Sequence, residues 1–219
     1  MNIASICWTI LFVLYFSFFS WYTSCSGPLT PEEIDHYLGL AAAREDTDPD
    51  RLPLMRAFLE ADTGDDLVMV NMIEIRDTPG HVEGADPDMT SSDMLATYME
   101  FMWPALLKRA CHPVLMAVAA APALDLWGID GAEKWTTAGM MRYRSRRDLM
   151  DIATNPAFQG RHDFKIAAMH KTIAFPGDPW LQLGDPRLVL GLLMAVIGLA
   201  VHGIQGHRSA RARTSLRDL

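Results

Sequence analysis

The chain is poor in cysteine, in positive charge and in repetition. Only three cysteines occur, Cys7, Cys25 and Cys111, with no CxxC pair and no zinc-type spacing. That excludes a multi-bridge disulfide framework and a structural zinc site. A single Cys25–Cys111 bridge stays open in an oxidising compartment. Lys and Arg number 19 against 27 Asp and Glu. A surface that binds phosphate backbones needs a basic face, so nucleic acid is excluded as a partner. The first residues, Met1-Asn2-Ile3, lack the positive charge that precedes the apolar core of a signal peptide. There is no internal repeat and no low-complexity tract. No histidine stands at a telling distance from a Ser, Cys or carboxylate. His162 and His170 are thus weak acid–base candidates, and in Cys111-His112 adjacent side chains seldom face each other.

What the chain does have is apolar residue, 50% of the total, concentrated at its two ends. Ile3 to Tyr22 carries no charge, and its length of about 20 residues suits a bilayer-crossing helix. Leu188 to Ile204, roughly 17 residues, reaches the low end of the spanning range. The first run is expected to be a retained anchor. A lipoprotein box ending at Cys25 and a cleaved signal peptide are the alternatives. The tail carries Arg208, Arg211, Arg213 and Arg217 against Asp218, which predicts a cytoplasmic location. Two spans then put both termini in the cytoplasm. Residues 28–186, with 14 Lys and Arg against 26 Asp and Glu, a net of −12, lie outside. The expected setting is a bacterial inner membrane with a periplasmic central domain. The predicted organisation is an anchor at 1–25, a helical lead-in at 26–65, an α/β domain at 66–178 and a linker at 179–186. A second span at 187–206 and a basic tail at 207–219 complete it.

Between the spans, residue pattern predicts the elements. "TPEEIDHYLGLAAARE" begins a helix, with Thr30 as cap, Pro31 in the first turn and Glu32 and Glu33 at its positive end. "DPDRLPLMRAFLEA" suggests a second short helix. "DDLVMVNMIEIRD" reads as a strand bounded by turn formers. "SSDMLATYMEFMWPALLKRA" has apolar residues at helical spacing, with Ser92 as N-cap and Pro104 as a kink. "HPVLMAVAAAP" and "EKWTTAGMMRYRS" read as strands, the first with a helix as competitor. "RRDLMDIATNPAFQGRHDFKIAAMH" is a helix broken near Asn155-Pro156, and "KTIAFP" is a last strand. The order β-α-β-β-α-β predicts an α+β, ferredoxin-like domain. Both alternating sets of "LVMVNMI" are apolar, which predicts burial on both sheet faces. One unit per chain leaves the second cover to another chain.

"VMVNMIEIR" (68–76), "YMEFMWPALLKRACHPVLM" (98–116) and "WTTAGMMRYRSRRDLMDIATNPAFQ" (135–159) resemble a family of unknown function in the dimeric α/β-barrel superfamily. Its broader relatives include antibiotic-biosynthesis monooxygenases, muconolactone isomerase and chlorite dismutases. The resemblance spans residues 30–176 and implies a ferredoxin-like fold. It implies no particular function, because this superfamily hosts many chemistries. Two departures stand out. A Gly-Gly pair usual before the second strand is Cys111-His112 here. A His-Arg pair usual in the last helix falls on Phe164-Lys165.

Candidate site residues fall in three groups. Asn71, His112 and Tyr143 are candidates for a ligand site in the barrel interior. Arg144, Arg146 and Arg147 suit a partner-docking or salt-bridge patch, since guanidinium matches carboxylate geometry. Gly191, Ala195 and Gly198 form a small-residue helix face for close helix approach. His202, one turn after Gly198, is a possible axial ligand for haem or a chlorophyll-type pigment, with the glycine leaving room for the ring. No other cofactor is expected, and no metal site. The methionines, 14 in all, are read as packing.

Two functional readings follow. The first is a non-catalytic accessory subunit of a larger membrane complex, for example a photosynthetic or respiratory one. Its partners are other membrane subunits, or a second copy through the open sheet face, together with the bilayer. The alternative is a membrane-tethered enzyme or small-ligand binder that uses the barrel interior.

Overall fold

The computed structural model describes residues 2–44 and 47–215, the side chains of 159 and 210–215 excepted. Two compact units result, Met1–Thr23 with Trp180–Leu219, and Ser24–Pro179. The terminal unit is a helix pair. Helix α1 (Ile3–Tyr22) is capped by Asn2, whose side chain accepts from Ser5 N. Its partner, the last helix of the chain, runs Pro186–Ser215 and is longer than the apolar run suggested. Both are long and apolar enough to cross a membrane, with mean hydropathy of 2.0 and 2.1. Ala4 N donates to Gln205 Oε1 at 2.7 Å and Tyr15 Oη to the Arg187 carbonyl at 3.1 Å, so the helices are antiparallel. The basic-tail residues Arg211, Arg213, Arg217 and Asp218 lie outside the described side chains.

The central unit begins with α2 (Pro31–Ala42), closed by a reciprocal capping box between Thr30 and Glu33. A 3-10 turn leads into α3 (Leu52–Glu60). There follow β1 (Leu67–Ile75), α4 (Ser91–Lys108), β2 (His112–Val118) and β3 (Thr137–Tyr143). Helices α5 (Arg146–Ala153) and α6 (Gln159–Ala168), β4 (Met169–Gly177) and then the last helix, α7, complete the order. The cap of α4 is Thr90, not Ser92: Thr90 Oγ1 accepts from Asp93 N and Asp93 returns a bond to Thr90 N. A cap with an acid at N3 satisfies two orphan donors, which Ser92 has no matching residue to do. Helix α4 continues through Pro104. The break between α5 and α6 falls at Asn155-Pro156 as the pattern requires, because the residue before proline is driven out of helical geometry.

The four strands form one antiparallel sheet in the order β2-β3-β1-β4. Register sorts its two faces. Leu67, Met69 and Asn71 share a face with Tyr143, Met141 and Ala174. Against this face pack Met102, Leu106 and Ile152 from α4 and α5. Val68, Val70 and Met72 share the other face with Arg142, Met140, Phe175 and Ile173. A second core joins Leu29, Ile34, Tyr37, Leu38 and Leu59 of the lead-in to Met150 of α5.

Candidate functional site

The helix-covered face of the sheet holds a cavity of about 400 Å³. Met69 and Asn71 of β1, Tyr143 of β3 and Ala174 of β4 form its floor. Tyr98 and Met102 of α4, one turn apart, form one wall, and His162 and Lys165 of α6 another. Arg44 and Thr47 close it from the lead-in side. The side chains at i and i+3 or i+4 share a helix face, which is why these pairs reach the same space. Tyr98 and His162 meet edge-on with ring centroids 6.3 Å apart, and Lys165 Nζ lies 5.9 Å from the Tyr98 ring centroid. Burial pushes the phenols of Tyr143 and Tyr98 upward, the Arg44 charge partly offsetting it at Tyr98. Burial drives the Lys165 amine downward. Both phenols are therefore kept as hydroxyl donors, and the lysine is eased towards its neutral form.

Of the three ligand-site candidates, Asn71 and Tyr143 meet in this cavity. Asn71 Nδ2 donates to the Met69 and Gly139 carbonyls at 3.1 and 3.2 Å, which fixes its orientation. His112 is not with them. It pairs in register with Arg142, on the opposite face of the sheet, and its Nδ1 lies 2.9 Å from the Pro113 carbonyl. One residue of register decides the face, and Tyr143 and Arg142 are neighbours. Tyr98, Arg44 and Lys165 join Asn71 and Tyr143 here, brought in by packing and not by any motif in the sequence.

The arginines are engaged within the chain. Arg144 grips Asp148 with Nε and Nη2 at 2.8 and 2.9 Å, and Asp148 also anchors the Ser145 cap of α5. Arg147 grips Glu33 of α2 at 2.7 and 2.8 Å. Arg146 bonds the Phe58 carbonyl, lies 4.5 Å over the Phe58 ring and stands 3.6 Å from Asp62. Asp62 in turn accepts from Leu29 N at 2.8 Å. Together with the Tyr37 hydroxyl bond to Asp151 at 2.6 Å, these contacts fasten the lead-in helices to α5. Of the two readings of this patch, partner docking or salt bridges, these contacts match the salt bridges, made within the chain. Arg142 is the most enclosed: it is 0% exposed, bonds Asp66 at 2.7 Å and donates to the Ala110 carbonyl at 2.9 Å. Ala110 has a left-handed φ of 54° and ends α4, where Cys111 N returns to the Leu106 carbonyl. Cys111 is a buried thiol pushed up to about 11 by desolvation.

The small-residue face of α7 packs on this chain's own α1. A Cβ on Gly191 would sit 3.3 Å from the Tyr15 ring, and one on Gly198 only 2.5 Å from Trp8. Both contact pairs are spaced seven residues apart on each helix, the repeat of a knobs-into-holes seam. Ala195 lies half-buried between them. The room at Gly198 that a macrocycle on His202 was expected to use is filled by the Trp8 indole, and His202 is exposed.

No protein-family model and no curated protein matches the chain. Among the solved structures that do are two of the RPA0582 protein. One is a protein of unknown function from Rhodopseudomonas palustris, 19% identical, with a TM-score of 0.49, covering 61% of this chain and 96% of that one. The other is the methylated RPA0582 protein, 18% identical, with a TM-score of 0.50, covering 65% and 98%. At this identity the likeness concerns the fold alone.

Proposed function

We propose that the central unit is a membrane-tethered small-ligand-binding domain of the ferredoxin-like, dimeric α/β-barrel type, with the ligand held in the cavity between sheet and helices. The observation that carries this reading is the convergence of Tyr98, Tyr143, His162 and Lys165 on one space of about 400 Å³. Small-molecule sites run to roughly 300–1,000 Å³, mostly apolar with a few placed polar groups. The strand order β2-β3-β1-β4 supports the fold assignment. The arginine-rich tail supports a cytoplasmic location for both ends and an external location for the domain. The test is extraction of the full chain, purified in mild detergent, and mass spectrometry of what it releases on denaturation. A small molecule is expected from the wild type and not from Ala174→Phe, which fills the cavity floor. Absence of any bound molecule, with no compound from a metabolite library raising the unfolding temperature, refutes the reading.

The accessory-subunit reading is supported by a different observation. On the far sheet face Leu115, Met140, Val70 and Phe175 stand in one row across all four strands, and Ala117, Ala138, Met72 and Ile173 in the next. Leu115, Ile173 and Phe175 are 46%, 41% and 51% exposed within the chain. A contiguous apolar face of this kind marks a protein contact. We infer that another chain covers it, either a second copy or a different membrane subunit. Mild-detergent purification with cross-linking distinguishes these, and a lone monomer would sink the idea.

A further inference from the structure

This inference rests on the ligand-binding reading of the cavity and concerns the charge of what it holds. The lining is unbalanced. Arg44, His162 and Lys165 bring nitrogen bases, while none of the described lining residues is Asp or Glu. This occurs in a segment, 28–186, where 26 acids face 14 Lys and Arg. Acids are abundant on this domain, yet the described lining of this space carries none. Arg44 has a fixed task, since its Nη1 donates to the Ala153 carbonyl at the end of α5. Lys165 does not. Among the described residues its amine has no ion pair; Nζ lies 5.9 Å from the Tyr98 ring centroid, and desolvation drives it downward. A sheltered ammonium without a counter-ion is unfavourable, and a bound carboxylate removes that cost. Much of the rest of the wall is apolar, with Met69, Met102 and Phe158 prominent.

We propose that the cavity takes a small, mainly apolar organic anion, with its carboxylate seated on Lys165 Nζ and its hydrocarbon body against Met69, Met102 and Phe158. Tyr98 and Tyr143, which line the same cavity, bring hydroxyl donors to it. Methionine suits such a wall because its flexible thioether adapts to varied apolar shapes. Glu45 and Asp46 fall between the lining residues Arg44 and Thr47 and lie outside the described residues. An acid from that pair on Lys165 would cancel the preference for anions, so the test reads this directly.

The experiment uses the full chain in phosphatidylcholine nanodiscs with methyl-labelled methionine, titrated with benzoate, benzamide and benzamidinium. These probes share one shape and differ in charge. Benzoate is expected to shift the Met69 and Met102 methyl signals with an affinity about tenfold above that of benzamide, with benzamidinium weakest. Lys165→Met is expected to erase the difference between benzoate and benzamide, and Lys165→Arg to keep it. Equal binding of all three probes, or strongest binding of benzamidinium, overturns the anion proposal and leaves the ligand site standing. A benzoate preference that survives Lys165→Met overturns the seat on Lys165. If none of the probes moves those methyl signals, both the proposal and the ligand-site reading fall.

Discussion

Replacing Arg142 by methionine is expected to be among the most damaging single changes in the central unit. The guanidinium is 0% exposed and joins Asp66 at 2.7 Å to the Ala110 carbonyl at 2.9 Å. Methionine keeps much of the side-chain length and apolar bulk, so lost packing contributes little. What remains is a carboxylate on Asp66 with a side chain only 14% exposed, and a carbonyl on a residue already in the left-handed region. Breaking a buried pair from one side costs about 3–5 kcal/mol, of which an orphaned carbonyl accounts for about 1–3 kcal/mol. Set against a domain stability of roughly 5–15 kcal/mol, that is about a fifth or more of the total. Arg142→Lys keeps the charge but not the two-pronged reach, and is expected to lose about half as much. Arg142→Met combined with Asp66→Leu removes the half-buried carboxylate as well and is expected to recover about 2 kcal/mol of the single-variant loss. The assay is urea unfolding of the full chain in mild detergent, followed by near-ultraviolet circular dichroism. A loss below about 1 kcal/mol for Arg142→Met, the range of an exposed ion pair, would refute the reasoning.

Two further perturbations probe other parts of the chain. Gly198→Leu puts a side chain where even a Cβ stands 2.5 Å from the Trp8 ring, so the α1–α7 pair must separate by about an ångström or more. Spin labels on the two helices are expected to report the longer distance, and Trp8→Ala to restore the original one. An unchanged distance in Gly198→Leu alone would show that the seam does not depend on the glycine. At Glu33, the Arg147 bond and then the Thr30 backbone bond hold the carboxyl down from 4.5 to about 2. A folded-state value below the unfolded one gives stability that is present above pH 4.5 and lost as the pH falls towards about 2. Glu33→Gln is therefore expected to be less stable at neutral pH and to lose less on acidification through that window. Superimposable acid limbs for the two proteins would count against the Glu33–Arg147 tie.

The local order of this chain was legible because each element carries its own signal. The Thr30 cap, the strand pattern of residues 67–73 and the Asn155-Pro156 break all act within a few residues. The α4 cap was misplaced by two positions, since Ser92 and Thr90 are both competent and only the acid at Asp93 chooses between them. The arginine cluster could be found but not interpreted. Its partners Glu33, Asp62 and Phe58 lie 114, 84 and 88 positions away in sequence. Likewise, His112 and Tyr143 both sit on strands, yet a single step of register sends them to opposite faces.

The sequence by itself determined where the chain turns apolar enough to cross a membrane, and which segments become helix or strand. Those properties follow from composition and from periods of 3.6 and 2 residues, which need no knowledge of the rest of the chain. Only the tertiary structure decided which residues share a space. Arg44, Tyr98, Tyr143 and Lys165 come from four separate segments, and the register of β1 against β3 and β4, with the seating of α4 and α6 on that sheet, brings them to one cavity. The same holds for Gly191 and Gly198, whose small size promised close approach by some helix. The contact that fills them is with Tyr15 and Trp8 of the same chain. A residue type states what it can bond or admit, and long-range packing selects what it meets.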